Sequence, residues 1–275
     1  MLKRILLITA SIVLMLLPFW PLTEHLFPIV DNTNFGYYSL TCLAIFLVAV
    51  TLALLLRKYA IPAKADKKLL PATCLFFVLG FSAMFALHLG APALGPDLLA
   101  LKTIEQVRYG MLLLSVMGFA GGCFMLLRSV PIKTSLNTYL FTGFLTIVTI
   151  ANCWDNISSL MLGSQLTSWV ENGKNPVDFF IDLDHHIHWR FFARVSLYIT
   201  AIWISLFLWK SGLFKIWQTV LLTLFCLTGV GFCILFIING FDYYFPFMVP
   251  AIALAPVYWI GVTLLSKPNY AGKQQ

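Results

Sequence analysis

Hydrophobic residues run along this chain in long blocks, without strand-like alternation, and the blocks define the predicted elements. Eight segments carry no ionised residue through their middles: 3–20, 37–56, 70–89, 109–127, 136–153, 191–209, 216–238 and 247–265. Each approaches the roughly 20 apolar residues that a helix needs to cross a hydrocarbon core about 30 Å thick. Phe, Leu and Ile recur in them with no period of two, which excludes barrel strands of about 10 alternating residues. The pattern predicts an all-α integral membrane protein with about eight transmembrane helices, a single polytopic domain over 1–275. The stretch 154–190 reads as an extracytoplasmic loop with room for an interfacial helix. Lys3 and Arg4 precede the first block as in a signal peptide, but Pro18-Phe19-Trp20-Pro21 offers no small-residue cleavage site. That block is therefore expected to stay as the first membrane helix.

Composition agrees with this reading. At 60% apolar and 11% charged residues, the chain lies far from the 45–50% and about 25% of soluble domains. Six cysteines are too few for a disulfide scaffold, and most fall inside the blocks, where Cys behaves as a small apolar side chain. A net charge of +7 would suggest nucleic acid in a soluble protein, but topology accounts for it. Sorted by side, 13 of the 18 cations share the side of the two termini. Lys102, Arg108, Lys174, Arg190 and Arg194 lie on the other, together with every acid but Asp66 and with all five histidines. Excess Lys and Arg mark the cytoplasmic side. Both termini are thus expected in the cytoplasm, in a bacterial inner (plasma) membrane, and no nucleic-acid partner is called for. No phosphate-binding loop or dinucleotide fingerprint occurs. No soluble domain is visible either, which argues against ATP-driven transport by this chain alone.

The densest polar run is Asp182-Leu183-Asp184-His185-His186-Ile187-His188-Trp189-Arg190. On a helix of 3.6 residues per turn, Asp184, His185 and His188 fall within about 100° of one face. Two imidazoles and a carboxylate can ligate a divalent transition metal and leave positions open. The same Asp–His pairs suit general-base chemistry, with Asp155 as a further catalytic candidate. The plainer alternative is a wet interfacial segment facing headgroups. Arg190 and Arg194 follow four residues apart, and an ionised side chain at that depth needs a partner. Asp155, at the end of the fifth block, and Asp242, at the end of the seventh, are the candidates. Such a cluster either ties helices together or clamps an anionic ligand. Glu105 and Arg108 open the fourth block, and His88 ends the third.

His88-Leu89-Gly90-Ala91-Pro92 resembles the His-Leu-Gly-x-Pro motif of the membrane anchor subunits of dimethyl sulfoxide reductase-type enzymes. The resemblance covers five residues and the outer loop and helix that follow. It implies that His88 takes part in menaquinol oxidation, with a quinone as ligand. The chain departs from the family in placing the motif after the third span, where the family has it after the second, and in lacking the last helix.

Gly118 and Gly122, like Ala251 and Ala255, have the small-xxx-small spacing of close helix contacts. Pro246, Pro250 and Pro256 predict a kinked last span. Trp154, Trp169 and Trp189 belong to an outer aromatic belt. The sequence thus predicts an extracytoplasmic polar site gathering ligand-binding His88, Glu105, Arg108, Arg190, Arg194 and Asp242 with catalytic Asp155, Asp184, His185 and His188. A membrane enzyme or binding protein for a lipid, quinone or lipid-linked substrate follows from it. A transporter or channel for a small solute and a non-catalytic subunit are the alternatives.

Overall fold

A computed structural model describes residues 2–16, 35–59, 66–89, 96–129, 135–181, 184–239 and 250–267 of the chain. Among these residues the secondary structure is entirely helical. The helices are α1 (Leu2–Leu16), α2 (Phe35–Arg57), α3 (Asp66–Leu89), α4 (Lys102–Ser129), α5 (Ser135–Glu171), α6 (Pro176–Ile181), α7 (Asp184–Lys210), α8 (Ile216–Asn239) and α9 (Pro250–Leu265), with a 3-10 turn at Pro96–Leu99. Each of the eight predicted blocks overlaps one of them. The stretches Lys102–Arg128, His188–Lys210 and Ile216–Asn239 are long and apolar enough to cross a membrane.

The helices are apolar inside and out. Ala253, Leu254, Leu197, Ile204, Leu112 and Phe119 are buried where α4, α7 and α9 meet their neighbours. Leu43, Leu47, Leu114, Met117, Ile147, Leu221 and Leu224 point outward and are exposed. A helix that is apolar all round belongs in a core or in hydrocarbon, and this outward apolar surface matches a lipid solvent. Several intrahelical hydroxyls are satisfied locally: Thr142, Thr149 and Thr200 each donate to the carbonyl four residues back.

Close approaches fix the packing. A Cβ on Gly122 would stand 2.6 Å from the Phe76 ring, and one on Gly229 2.5 Å from the Tyr198 ring. The α3/α4 seam therefore uses the glycine spacing noted in the sequence, and Ser115 adds a hydrogen bond to the Leu79 carbonyl. The Tyr258 hydroxyl donates to the Ser11 carbonyl and ties α9 to α1. Pro250 opens α9 and Pro256 lies within it; Pro246 lies outside the described residues.

The fifth helix departs from the expectation. It does not stop at Cys153 but continues to Glu171, 37 residues in all, or about 55 Å at 1.5 Å per residue. No Pro lies between 154 and 171, and the polar Asp155-Asn156 pair turns into the bundle instead of capping an end. Leu162 and Leu166 of this extension pack with Leu98 of the 3-10 turn and with Phe179 and Phe180 of α6. The helix ends at Gly173, whose φ of 75° suits glycine. The Trp169 indole then donates to the Asn175 carbonyl, with the Lys174 ammonium 4.0 Å over its ring.

Candidate functional site

Three helices bring ionised groups together. On α5, Asn152, Asp155, Asn156 and Ser159 repeat at three- and four-residue steps, which puts them on one helix face. Arg190 and Arg194 lie one turn apart near the start of α7, and Glu105, Arg108 and Tyr109 occupy the first turns of α4. All of these are buried.

Asp155 is the hub. Its Oδ2 accepts Arg194 Nη2 at 2.6 Å, while Arg190 Nε stands 3.6 Å from Oδ1. Arg194 Nη1 also donates to Asn152 Oδ1 at 3.3 Å. The Asn152 amide nitrogen donates to the Val148 and Ala193 carbonyls at 2.8 and 3.2 Å, which fixes its oxygen toward the guanidinium. Arg190 Nη2 donates to Ser159 Oγ at 3.3 Å. Asp155 is 0% and Arg194 1% exposed, so bulk solvent reaches neither. Removing such ions from water costs several kcal/mol each unless they are paired and hydrogen-bonded, and this geometry supplies both.

A second ion pair adjoins the first. Arg108 Nη2 bonds Glu105 Oε2 one turn away, and the Arg108 guanidinium lies 5.2 Å from the Tyr109 ring centre, a cation–π geometry. Arg190 also lies near Glu105 and Tyr109, which links α4 to the Asp155 hub. Three guanidinium groups thus share two carboxylates. Glu105 Oε1, Arg108 Nε and Arg108 Nη1 are buried and have no hydrogen-bond partner among the described residues. An occupant of this site meets positive charge, a pinned counter-ion and both donor and acceptor atoms.

The structure therefore assembles Glu105, Arg108, Asp155, Arg190 and Arg194 from the predicted set. Of Arg194's two candidate acids, Asp155 is a partner; Asp242 lies outside the described residues. His188 is on α7 and exposed. Asp184 and His185 are helical, as is His88 at the end of α3, but their side chains lie outside the described set. No group of three His, Cys, Asp or Glu able to hold a metal occurs among the described residues. Sequence reasoning missed Asn152, Ser159 and Tyr109. For Asn152 and Ser159 the signal was their helical spacing from Asp155, for Ser159 readable once α5 is known to continue past 153, and for Tyr109 its four-residue step from Glu105.

Trp154 and Trp189 flank the hub, their rings 6.5 Å apart, with Phe192 6.5 Å beyond Trp189. All three are exposed, forming an outward aromatic patch at the level of Asp155 and Arg190. No family model, curated protein or solved structure matches the chain.

Proposed function

We propose that this is a multi-pass inner-membrane protein of eight spans with both termini cytoplasmic. Its extracytoplasmic site binds and acts on a lipid, a quinone or a lipid-linked substrate. The observation that carries the reading is the buried cluster of Glu105, Arg108, Asp155, Arg190 and Arg194, contributed by three helices. Ionised groups at membrane depth are costly and mark functional positions. The aromatic patch supports an interfacial depth, since Trp gathers at headgroup level. A site at that depth is reached from the outer leaflet, where amphiphilic substrates present their polar ends. The extension of α5, the 3-10 turn and α6 would stand above it as a cover. In this arrangement Asp155 serves the arginines as counter-ion, and Arg108 and Glu105 face the substrate. Asp184, His185 and His188 would supply acid–base or metal chemistry from the start of α7, and His88 from the end of α3.

The test is native mass spectrometry with solvent extraction of chain purified in mild detergent. One retained lipid, quinone or lipid-linked molecule per chain, lost on Arg108→Gln in protein that still folds, is the expected result. Chain that retains none and instead moves a small solute across proteoliposome membranes would overturn the reading in favour of a transporter.

A further inference from the structure

Arg108 and Glu105 leave a particular chemical demand. One guanidinium nitrogen is bonded to Glu105 Oε2, while Nε and Nη1 stay buried without partners, as does Glu105 Oε1. Arg108 and Glu105 are each 5% exposed, so bulk water does not answer for these atoms. A buried donor or acceptor left unmade costs free energy, and at membrane depth that cost is harder to relieve. Nε and Nη1 face different edges of the guanidinium, so one small group can meet Glu105 Oε1 and one of the two nitrogens. That group must accept from the guanidinium and donate to the carboxylate. A bare dianion does only the first and is repelled by Glu105.

We propose that Arg108 and Glu105 form a subsite for a monoprotonated phosphate, a phosphomonoester or inorganic phosphate, whose anionic oxygens accept from Arg108 while its P–OH donates to Glu105 Oε1. A phosphate monoester has its second ionisation near pH 6 and so presents both kinds of oxygen close to neutrality. Guanidinium is well matched to phosphate oxygens. The cluster's one positive charge in excess of its carboxylates favours an anion over a neutral headgroup. Phosphodiester lipids and sulfate have no such proton, and a site built to bond a ligand hydroxyl rejects analogues that lack it. This rests on the reading of an interfacial substrate site and narrows its substrate class to a terminal phosphate.

The experiment uses full-length chain and thermal stabilisation as the readout. Detergent-purified protein is titrated with sodium phosphate and with sodium sulfate at matched ionic strength. A second arm compares nanodiscs of phosphatidylcholine doped with phosphatidic acid or with phosphatidylglycerol. Wild type should require at least tenfold more sulfate than phosphate for the same shift, and phosphatidic acid should stabilise where phosphatidylglycerol does not. Arg108→Gln should lose the phosphate response. Glu105→Gln, whose amide can donate, should bring sulfate and phosphate within about twofold of each other, a reversal that a merely structural role for Glu105 does not produce. Response to phosphatidic acid alone identifies a lipid headgroup, and response to both identifies the phosphate group itself. Response to inorganic phosphate alone keeps the subsite but removes the lipid-substrate reading. Equal responses to sulfate and phosphate in wild type, or none to either phosphate source, overturn the subsite. The extraction experiment then judges the broader reading separately. Because wild-type discrimination and Glu105→Gln carry the result, misfolding of Arg108→Gln leaves it decidable.

Discussion

Asp155 holds two arginines with one carboxylate, and its replacement exposes what that arrangement costs. Removing one partner of a buried ion pair strands the other and typically costs about 3–5 kcal/mol, whereas replacing both by apolar groups is far milder. Asp155→Leu or Arg194→Met alone should therefore lower unfolding stability by about that much, and the double variant by clearly less than the two singles added. Denaturant unfolding of the four proteins, read as a double-mutant cycle, checks this; additivity would remove the coupling. The Asp155–Arg194 contact was foreseeable from sequence because an arginine one turn inside a span must find a counter-charge. Asn152 and Ser159 were not, since amides and hydroxyls do not betray a partner. The histidines stand differently. Asp184, His185 and His188 keep their metal proposal on spacing alone, so elemental analysis is the check. About one transition metal per chain, lost in a His185/His186/His188→Ala variant that still folds, is the expected outcome, and metal-free wild type purified without chelators would count against it.

At the scale of elements, the apolar blocks gave each helix its place, while helix ends followed packing that no block records. The fifth block ended at Cys153 because hydropathy falls there, yet the next residues are helical with Asp155, Ser159, Leu162 and Leu166 facing inward. Polarity that seeks a partner within the bundle looks, in one dimension, the same as polarity that seeks water. Ile157 separates the two. It is exposed, so proline there disturbs little packing but removes a helical hydrogen bond and clashes with the preceding turn, at about 3 kcal/mol or more. Ile157→Pro should destabilise the chain by that amount and weaken whatever ligand the extraction experiment finds, because it breaks α5 between Asp155 and Ser159. A loop at 154–190 would tolerate it. The glycine seams give the complementary case: Gly122→Ala drives a methyl into the Phe76 ring and should cost about 1–3 kcal/mol as overpacking, measured by thermal unfolding in the same detergent.

For the whole molecule, the proposed orientation rests on charge sorting alone, and the aromatic patch adds a depth for the site without choosing a side. On the eight-span reading, thirteen of 18 cations would accompany the termini, and the arginine cluster beside Trp154 and Trp189 would stand at the opposite ends of the helices. The long α5 sharpens the consequence. From Asp155 to Glu171 it rises about 24 Å at 1.5 Å per residue, too far to remain within a headgroup layer if Asp155 is already at the interface. Asn172 should then stand in water on the extracytoplasmic side, and Lys58, after α2, in the cytoplasm. In a background with the native cysteines replaced, Asn172→Cys should react with a membrane-impermeant maleimide in intact cells, and Lys58→Cys only after permeabilisation. A C-terminal green fluorescent protein fusion should fluoresce, and a C-terminal alkaline phosphatase fusion should be inactive. The inverse labelling would place the Arg108–Glu105 site on the cytoplasmic leaflet. Its phosphate chemistry would be untouched by that result, but its substrate would have to be one made and presented on the inner face.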